Sequence, residues 1–266
     1  MRTALIDGDI ITYRIGFTTE DDEPGIAFWR TSDMIEDILN TTDADSFMVY
    51  LTRESDPDAF RKKVYPEYKL NRKQPRPKHY HAIRQFLEVE WNAETVRVIE
   101  ADDALGIAQT EDTIICSIDK DLLQVPGKHY NFVKRTKTNV TDRTGLLRFY
   151  GQLIIGDSSD NIKGVVGSGK KAAEKVLSNL KTEQEMFNAV REMYGNDEEM
   201  LMNGRCLWIW RKPNDDWKHR FAKLRKHQSD GIQEEDQKLS GQDANEHPVS
   251  EGSGNKATDP VLSESV

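Results

Sequence analysis

Carboxylates gather at the ends of apolar runs in this 266-residue chain. Ala4-Leu5-Ile6 leads into Asp7 and Asp9, and the run from Ser46 to Leu51 leads to Glu54, Asp56 and Asp58. Val96 to Ile99 stops at Glu100, Asp102 and Asp103, and Thr113 to Ile118 stops at Asp119 and Asp121. Asp157 and Asp160 stand at i and i+3 in Gly156-Asp157-Ser158-Ser159-Asp160, neighbours on one face of a helical turn. Like charges crowded into one small volume cannot all stay ionised unless their pKa values rise or cations sit among them. Such a set suits hard, oxygen-seeking divalent ions, Mg²⁺ or Mn²⁺. Taken singly, the segments also have plainer readings. Glu100 to Asp103 could simply cap a helix, and Asp119 with Asp121 could be an ordinary acidic turn after a strand.

The elements that must position these acids follow from apolar patterning. Short β-branched runs at about 3–7, 46–51, 95–99 and 113–118 read as buried parallel strands. They alternate with helical stretches at about 32–40, 79–90 and 102–111, which predicts an α/β fold with a mainly parallel central sheet flanked by helices. In such a sheet ligands bind outside the carboxyl ends of the strands, where the acids lie. A further strand is expected near 130–133 and a helix near 144–156. The division expected is an α/β core over 1–156, a helical module with its cover over 157–227, and a tail over 228–266.

Charge is unevenly spread. The formal net charge is −9, but the stretch from Ser229 to Val266 holds nine acids against Lys238 and Lys256, so −7 of it lies there. That tail lacks apolar periodicity and is expected to be disordered, solubilising or available to a partner protein. Between Arg61 and His79 the sign reverses, with Arg61, Lys62, Lys63, Lys69, Arg72, Lys73, Arg76 and Lys78 facing only Glu67. Pro66, Pro75 and Pro77 break this segment, which is read as a projecting, partly disordered arch. Tyr65 and Tyr68 within it could stack on exposed bases. A solvated charge run is the bland alternative. A basic segment beside an acidic metal site suits a polyanionic substrate.

Ile162 to Ala173 carries Lys163, Gly164, Gly167, Gly169, Lys170 and Lys171, a pattern that brings backbone N–H groups close to phosphate. It reads as a helix-hairpin-helix rather than a nucleotide loop, because position 171 is Lys where Ser or Thr would meet Mg²⁺. Cys116 and Cys206 form no spaced set, and no apolar run approaches a membrane span. Both facts suggest a protein of the reducing cytoplasm, away from membranes.

In order along the chain, these segments resemble the flap endonuclease or 5′-nuclease family, which includes bacteriophage 5′–3′ exonucleases and the nuclease domain of bacterial DNA polymerase I. The resemblance rests on Ile6-Asp7-Gly8, Phe60-Arg61 through Tyr68-Lys69-x-x-Arg72, Glu100-Ala101-Asp102-Asp103, Asp119-Lys120-Asp121, and Gly156-Asp157-x-x-Asp160-Asn161-Ile162-x-Gly164. It implies a PIN-like core, a helical arch, and two Mg²⁺ ions that Mn²⁺ could replace, with K⁺ at the hairpin. By the same resemblance Asp7, Asp56, Glu100 and Asp102 would serve one ion and Asp119, Asp121, Asp157 and Asp160 the other, with Asp103 between them. Asp56 fills the place of the acid the family carries after its second strand, with Glu54 and Asp58 as rivals. Asp102 and Asp103 would take part in the chemistry, with Lys69 and Arg72 beside the scissile phosphate. Arg61, Lys62, Tyr65, Tyr68, Lys69, Arg72 and Lys73 from the arch, and Lys163, Gly164, Gly167, Gly169, Lys170 and Lys171 from the hairpin, would hold DNA with a 5′ end or flap. The rival classes are a non-catalytic DNA-binding protein of the same fold and an RNA-directed PIN-like nuclease. Single copies are the default, in a host cytoplasm if the chain is phage-encoded.

Overall fold

The computed structural model describes residues 1–227, so the expected disordered tail lies outside the described residues. The strands are β1 (Thr3–Asp7), β2 (Ser46–Thr52), β3 (Glu94–Val96), β4 (Thr113–Cys116), β5 (Gly127–Asn131) and β6 (Thr136–Val140), with a two-residue pair, β7 (Gly156–Asp157) and β8 (Ile162–Lys163). The helices are α1 (Gly8–Thr18), α2 (Pro24–Thr42), α3 (Phe60–Val64), α4 (Tyr80–Glu90), α5 (Ala101–Ala108), α6 (Asp142–Ile155), α7 (Lys170–Leu177), α8 (Glu183–Tyr194) and α9 (Asp197–Leu207). A last helix, α10, runs over 217–227.

The main sheet has the order β3-β2-β1-β4-β5-β6. All its pairs are parallel except β5 with β6. Along β1, Ala4 and Ile6 face a core that includes Ile11, Ile35, Val49 and Ile83, while Leu5 faces a second core with Leu105, Ile115 and Ile209. A strand buried on both faces must read as a continuous apolar run, and it does. The run expected at 95–99 pairs only over Glu94–Val96, because Val98 turns into the left-handed region (φ 70°). The strand expected at 130–133 starts earlier and forms a hairpin with β6, whose first four residues are exposed and give no apolar signal.

A third core joins α6 to α10 around Phe149, Tyr150, Phe187, Trp208 and Trp217. Residues 1–225 pack as one compact unit, so the boundary expected at 156/157 falls inside it. The basic segment projects less than expected. Arg61 and Tyr68 are buried, and continuous exposure begins only at Leu70 and ends at Arg76.

Candidate metal and nucleic-acid site

The chain leaves β1 toward β2 and β3, then returns to β4 on the other side, so the sheet changes direction between β1 and β4. The carboxyl ends of these two strands open a cleft at that switch point. Asp7 ends β1 and caps α1, accepting from Ile10 N at 3.0 Å and from Ser117 Oγ at 2.7 Å. Gly8 must follow it, because a Cβ there would stand 2.7 Å from Tyr50 O. Asp102 comes from the first turn of α5 and Asp119 from the loop after β4. Together with Asp9 they line a cleft of about 330 Å³. Burial, then Asp9 and Asp119, push Asp7 up to about 7, and burial with Asp7, Asp119 and Glu100 raises Asp102 well above the usual carboxylate range.

A groove of about 930 Å³ continues from Asp119 past Asp121 and Asp157 to Lys170. Burial, Asp119 and Asp157 raise Asp121 to about 6. Asp157 is held down despite burial, because the hydroxyl and N–H of Ser159 donate to it at 2.7 and 2.8 Å. Among the described residues, Asp7, Asp102, Asp119 and Asp121 make no ion pair with Lys, Arg or His. No three of the acids converge closely enough there to hold an ion by direct ligation alone. Oxygen donors only, high negative charge and mutually raised pKa values nevertheless fit a divalent cation that keeps part of its water shell.

Other expected ligands are committed elsewhere. Asp103 is fully buried, and its oxygens accept from Arg61 at 2.5 and 2.9 Å, Glu100 N at 3.1 Å and Trp210 N at 3.0 Å. It has no lone pair left for an ion, so its metal and catalytic assignments fail. Arg61 fails as a DNA contact for the same reason: its remaining donors go to Cys206 O and Trp208 O inside the protein. The Tyr68 ring is buried and unavailable for stacking. Its hydroxyl lies 3.0 Å from Glu100 and 2.9 Å from Asp160 and donates to one of them. Glu100 also accepts from Lys69 at 2.6 Å. Burial opposes its ionisation, but Lys69 and Arg61 outweigh it and bring its pKa to about 2. Asp160 is paired with Arg72. Asp56 turns toward the backbone, accepting from Val98 N at 2.8 Å and Asp58 N at 2.9 Å, which lowers its pKa and holds the left-handed turn at Val98. Its rivals are paired too, Glu54 with Arg76 and Asp58 with Lys63.

Sequence reasoning counted Asp9 among the strand-end acids without giving it a ligand place, and left Arg84 unmentioned. Asp9 accepts from Thr52 N at 3.1 Å and from Arg84 at 2.7 Å, while Arg84 also donates to Thr52 O at 2.7 Å. The Thr52 hydroxyl in turn accepts from Ala101 N at 2.9 Å, so this set ties α1, β2, α4 and α5 together beside Asp7. The signal available was the Asp7-Gly8-Asp9 spacing, which puts the second acid in the first turn of α1. Exposed Tyr13 leans on Tyr80 at 5.1 Å and on Phe17 at 6.2 Å, forming an aromatic lip at the cleft.

Of the arch residues, Lys62, Arg72 and Lys73 are exposed, and Tyr65 is half-buried with its hydroxyl donating to Glu67 at 3.1 Å. Of the residues expected in a helix-hairpin-helix, Lys163, Gly167, Gly169, Lys170 and Lys171 are exposed. Gly164 has a packing reason instead: a Cβ there would stand 2.3 Å from Ile154 O.

The family described as "5'-3' exonuclease, N-terminal resolvase-like domain" matches residues 2–151. A 5'-3' exonuclease of Buchnera aphidicola is 27% identical over 220 residues, covering 74% of this chain and 74% of that protein. DNA polymerase I of Caldicellulosiruptor bescii is 27% identical over 240 residues, covering 78% of this chain but 28% of the polymerase. Among solved structures, the bacteriophage T5 flap endonuclease, in a pseudo-enzyme-product complex with DNA and metal ions, aligns with a TM-score of 0.62 at 18% identity. That alignment covers 85% of this chain and 98% of the phage protein, and it shows a shared fold.

Proposed function

This chain belongs to the 5′–3′ exonuclease family, and from that premise we propose that it is a metal-dependent nuclease hydrolysing DNA phosphodiesters near 5′ ends, as a 5′–3′ exonuclease and flap endonuclease. The observation that carries the chemistry is the crowd of buried and half-buried acids, Asp7, Asp102 and Asp119, continued by Asp121 and Asp157, which among the described residues have no ion-pair partner. Asp7, Asp102 and Asp119 would hold one divalent ion, and Asp119, Asp121 and Asp157 the other, in part through water. Mg²⁺ is the ion best suited to oxygen ligands that leave waters in place, and Mn²⁺ would substitute. When bound, a pair of such ions supplies an activated water and stabilisation of the leaving oxygen.

The protein's own residues do the positioning. Ser117 and Ile10 N fix the Asp7 carboxylate, and the Thr52, Asp9 and Arg84 set fixes α5 and with it Asp102. Lys69 and Arg72, once clear of their acids, would offset negative charge developing on the phosphate. Lys62 and Lys73 at the arch, and Lys163, Lys170, Lys171 and the open glycines Gly167 and Gly169 at the hairpin, would grip the backbone without reading sequence. K⁺ at the hairpin belongs to the same reading, as does primer removal or end resection during DNA replication. Tyr13, the exposed ring at the cleft, would take the stacking role first expected of Tyr68.

The test is cleavage of 5′-flap, blunt duplex and single-stranded DNA with Mg²⁺ or with EDTA, beside Asp102→Asn. Release of short 5′ products with Mg²⁺, lost in the variant, is expected. Binding without cleavage under both Mg²⁺ and Mn²⁺ would leave only a structural DNA-binding role.

A further inference from the structure

The acids that sequence patterning assigns to metal fall into two populations. Among the described residues Asp7, Asp102, Asp119 and Asp121 make no ion pair, whereas Glu100 and Asp160 have theirs supplied by the basic segment itself. Every oxygen of this second pair is taken. Glu100 Oε1 accepts from Lys69 at 2.6 Å, and its Oε2 faces the Tyr68 hydroxyl at 3.0 Å and Arg61 at 3.6 Å. Asp160 Oδ1 accepts from Arg72, and its Oδ2 faces Tyr68 at 2.9 Å and Lys69 at 3.9 Å. Hydrogen bonds to backbone carbonyls reinforce the clasp. Lys69 N donates to Asp160 O at 3.0 Å, the Asn71 amide to Ser158 O at 2.5 Å, Arg72 Nε to Ser159 O at 3.3 Å, and the Asn161 amide to Glu67 O at 3.0 Å. Lys69 adopts φ 60°, an unfavourable backbone for a non-glycine residue, so the clasp also holds the chain in tension.

We propose that residues 65–72 form a strap closed on the site's own carboxylates, so that a divalent cation and the strap compete for Glu100 and Asp160. The Lys69 ammonium and Tyr68 hydroxyl fill the gap between the acid that caps α5 and an acid of the β7–β8 turn, which is where a cation bridging those elements would sit. Arrival of the cation releases Lys69 and Arg72 to the mouth of the cleft, where a phosphate would enter. Entry of the ion and delivery of the two basic side chains are one event, and the resting protein keeps both apart from the substrate.

This inference rests on the nuclease reading above, and the experiment separates the two. Mn²⁺ is titrated into the full-length chain without DNA, following the free aqua ion by electron paramagnetic resonance, for the wild type, Asn71→Ala and Tyr68→Phe. Neither variant removes a positive charge, so tighter binding cannot come from relieved repulsion. About threefold tighter Mn²⁺ binding is expected in both, and Mn²⁺ should speed tryptic cutting after Lys69 and Arg72 in the wild type. Asn71 is exposed, so Asn71→Ala keeps the test alive if Tyr68→Phe folds poorly. Unchanged Mn²⁺ affinity in Asn71→Ala, with tryptic cutting unchanged or slowed by Mn²⁺, overturns the strap and leaves the nuclease intact. No Mn²⁺ binding by the wild type overturns the metal-dependent reading itself, and the strap with it.

Discussion

Arg61 directs its guanidinium into the protein, to Asp103 and to two carbonyls of the 206–208 stretch. Removing one partner of such a buried pair leaves an uncompensated charge, so Arg61→Met should destabilise by about 3–5 kcal/mol. Lys62→Met, at the exposed neighbour, should leave stability unchanged and weaken DNA binding. Urea unfolding and a DNA titration on both variants separate the roles. Asp7 gives a pH dependence of definite sign. Its folded pKa, about 7, lies above the ordinary 3.8, so the folded state holds the proton more tightly. That contribution is full below about pH 4 and is lost as pH rises through about 7, and Asp121, raised to about 6, adds in the same direction. In EDTA the melting temperature should therefore fall between about pH 4 and 7, while stabilisation by Mn²⁺ should grow over the same range. Mn²⁺ stabilisation that is flat with pH would remove these acids from the binding event. Residue types at strand ends revealed the acidic volume; they could not reveal which acids were already paired. Arg61, 42 residues from Asp103, carries no local sign that it is that acid's partner.

Val98 shows what the element scale adds. It is exposed, β-branched and left-handed, and its N–H and C=O are pinned by Asp56 and by Phe60 N. Val98→Gly should stabilise by about 1 kcal/mol, the relief of the left-handed penalty less the added chain entropy of glycine. Thermal unfolding measures it, and a loss of stability would show that the side chain packs. In the hairpin, Gly164→Ala should destabilise the fold by about 1–3 kcal/mol through the clash with Ile154 O. Gly169→Ala meets nothing within 4 Å and should spare stability while lowering DNA affinity. Elements with apolar runs (β1, β2, β4, α4 and α5) were legible. The edge strand β6 was not, because its exposed Thr-Lys-Thr-Asn face looks like a loop. α1 went unread because its buried face alternates Ile11 and Ile15 with Gly8, Thr12 and Gly16, small or polar, which break up the apolar stripe.

At the scale of the whole molecule, charge is partitioned between a nearly neutral folded part and an acidic stretch beyond residue 228. Ending the chain at residue 227 removes −7 of the −9, so DNA association should quicken, and by most at low salt. Stopped-flow binding at low and moderate ionic strength checks it; equal rates would mean the acidic stretch does not screen the basic face. This partition was plain in composition, whereas the way residues 206–210 complete the opposite end of the chain was not. That strip accepts Arg61 at Cys206 and Trp208, meets Gln124 at Leu207 and Ile209, and donates to Asp103 from Trp210. During synthesis it leaves the ribosome last among these parts that brace the cleft, whose own lining lies earlier in the chain. Until then Arg61 and Asp103 have each other but lack the backbone groups of Cys206, Trp208 and Trp210, and the Gly106 side of α5, which carries Asp102, stays uncovered. The acidic cleft is therefore braced on both sides only once nearly all of the folded unit has been made.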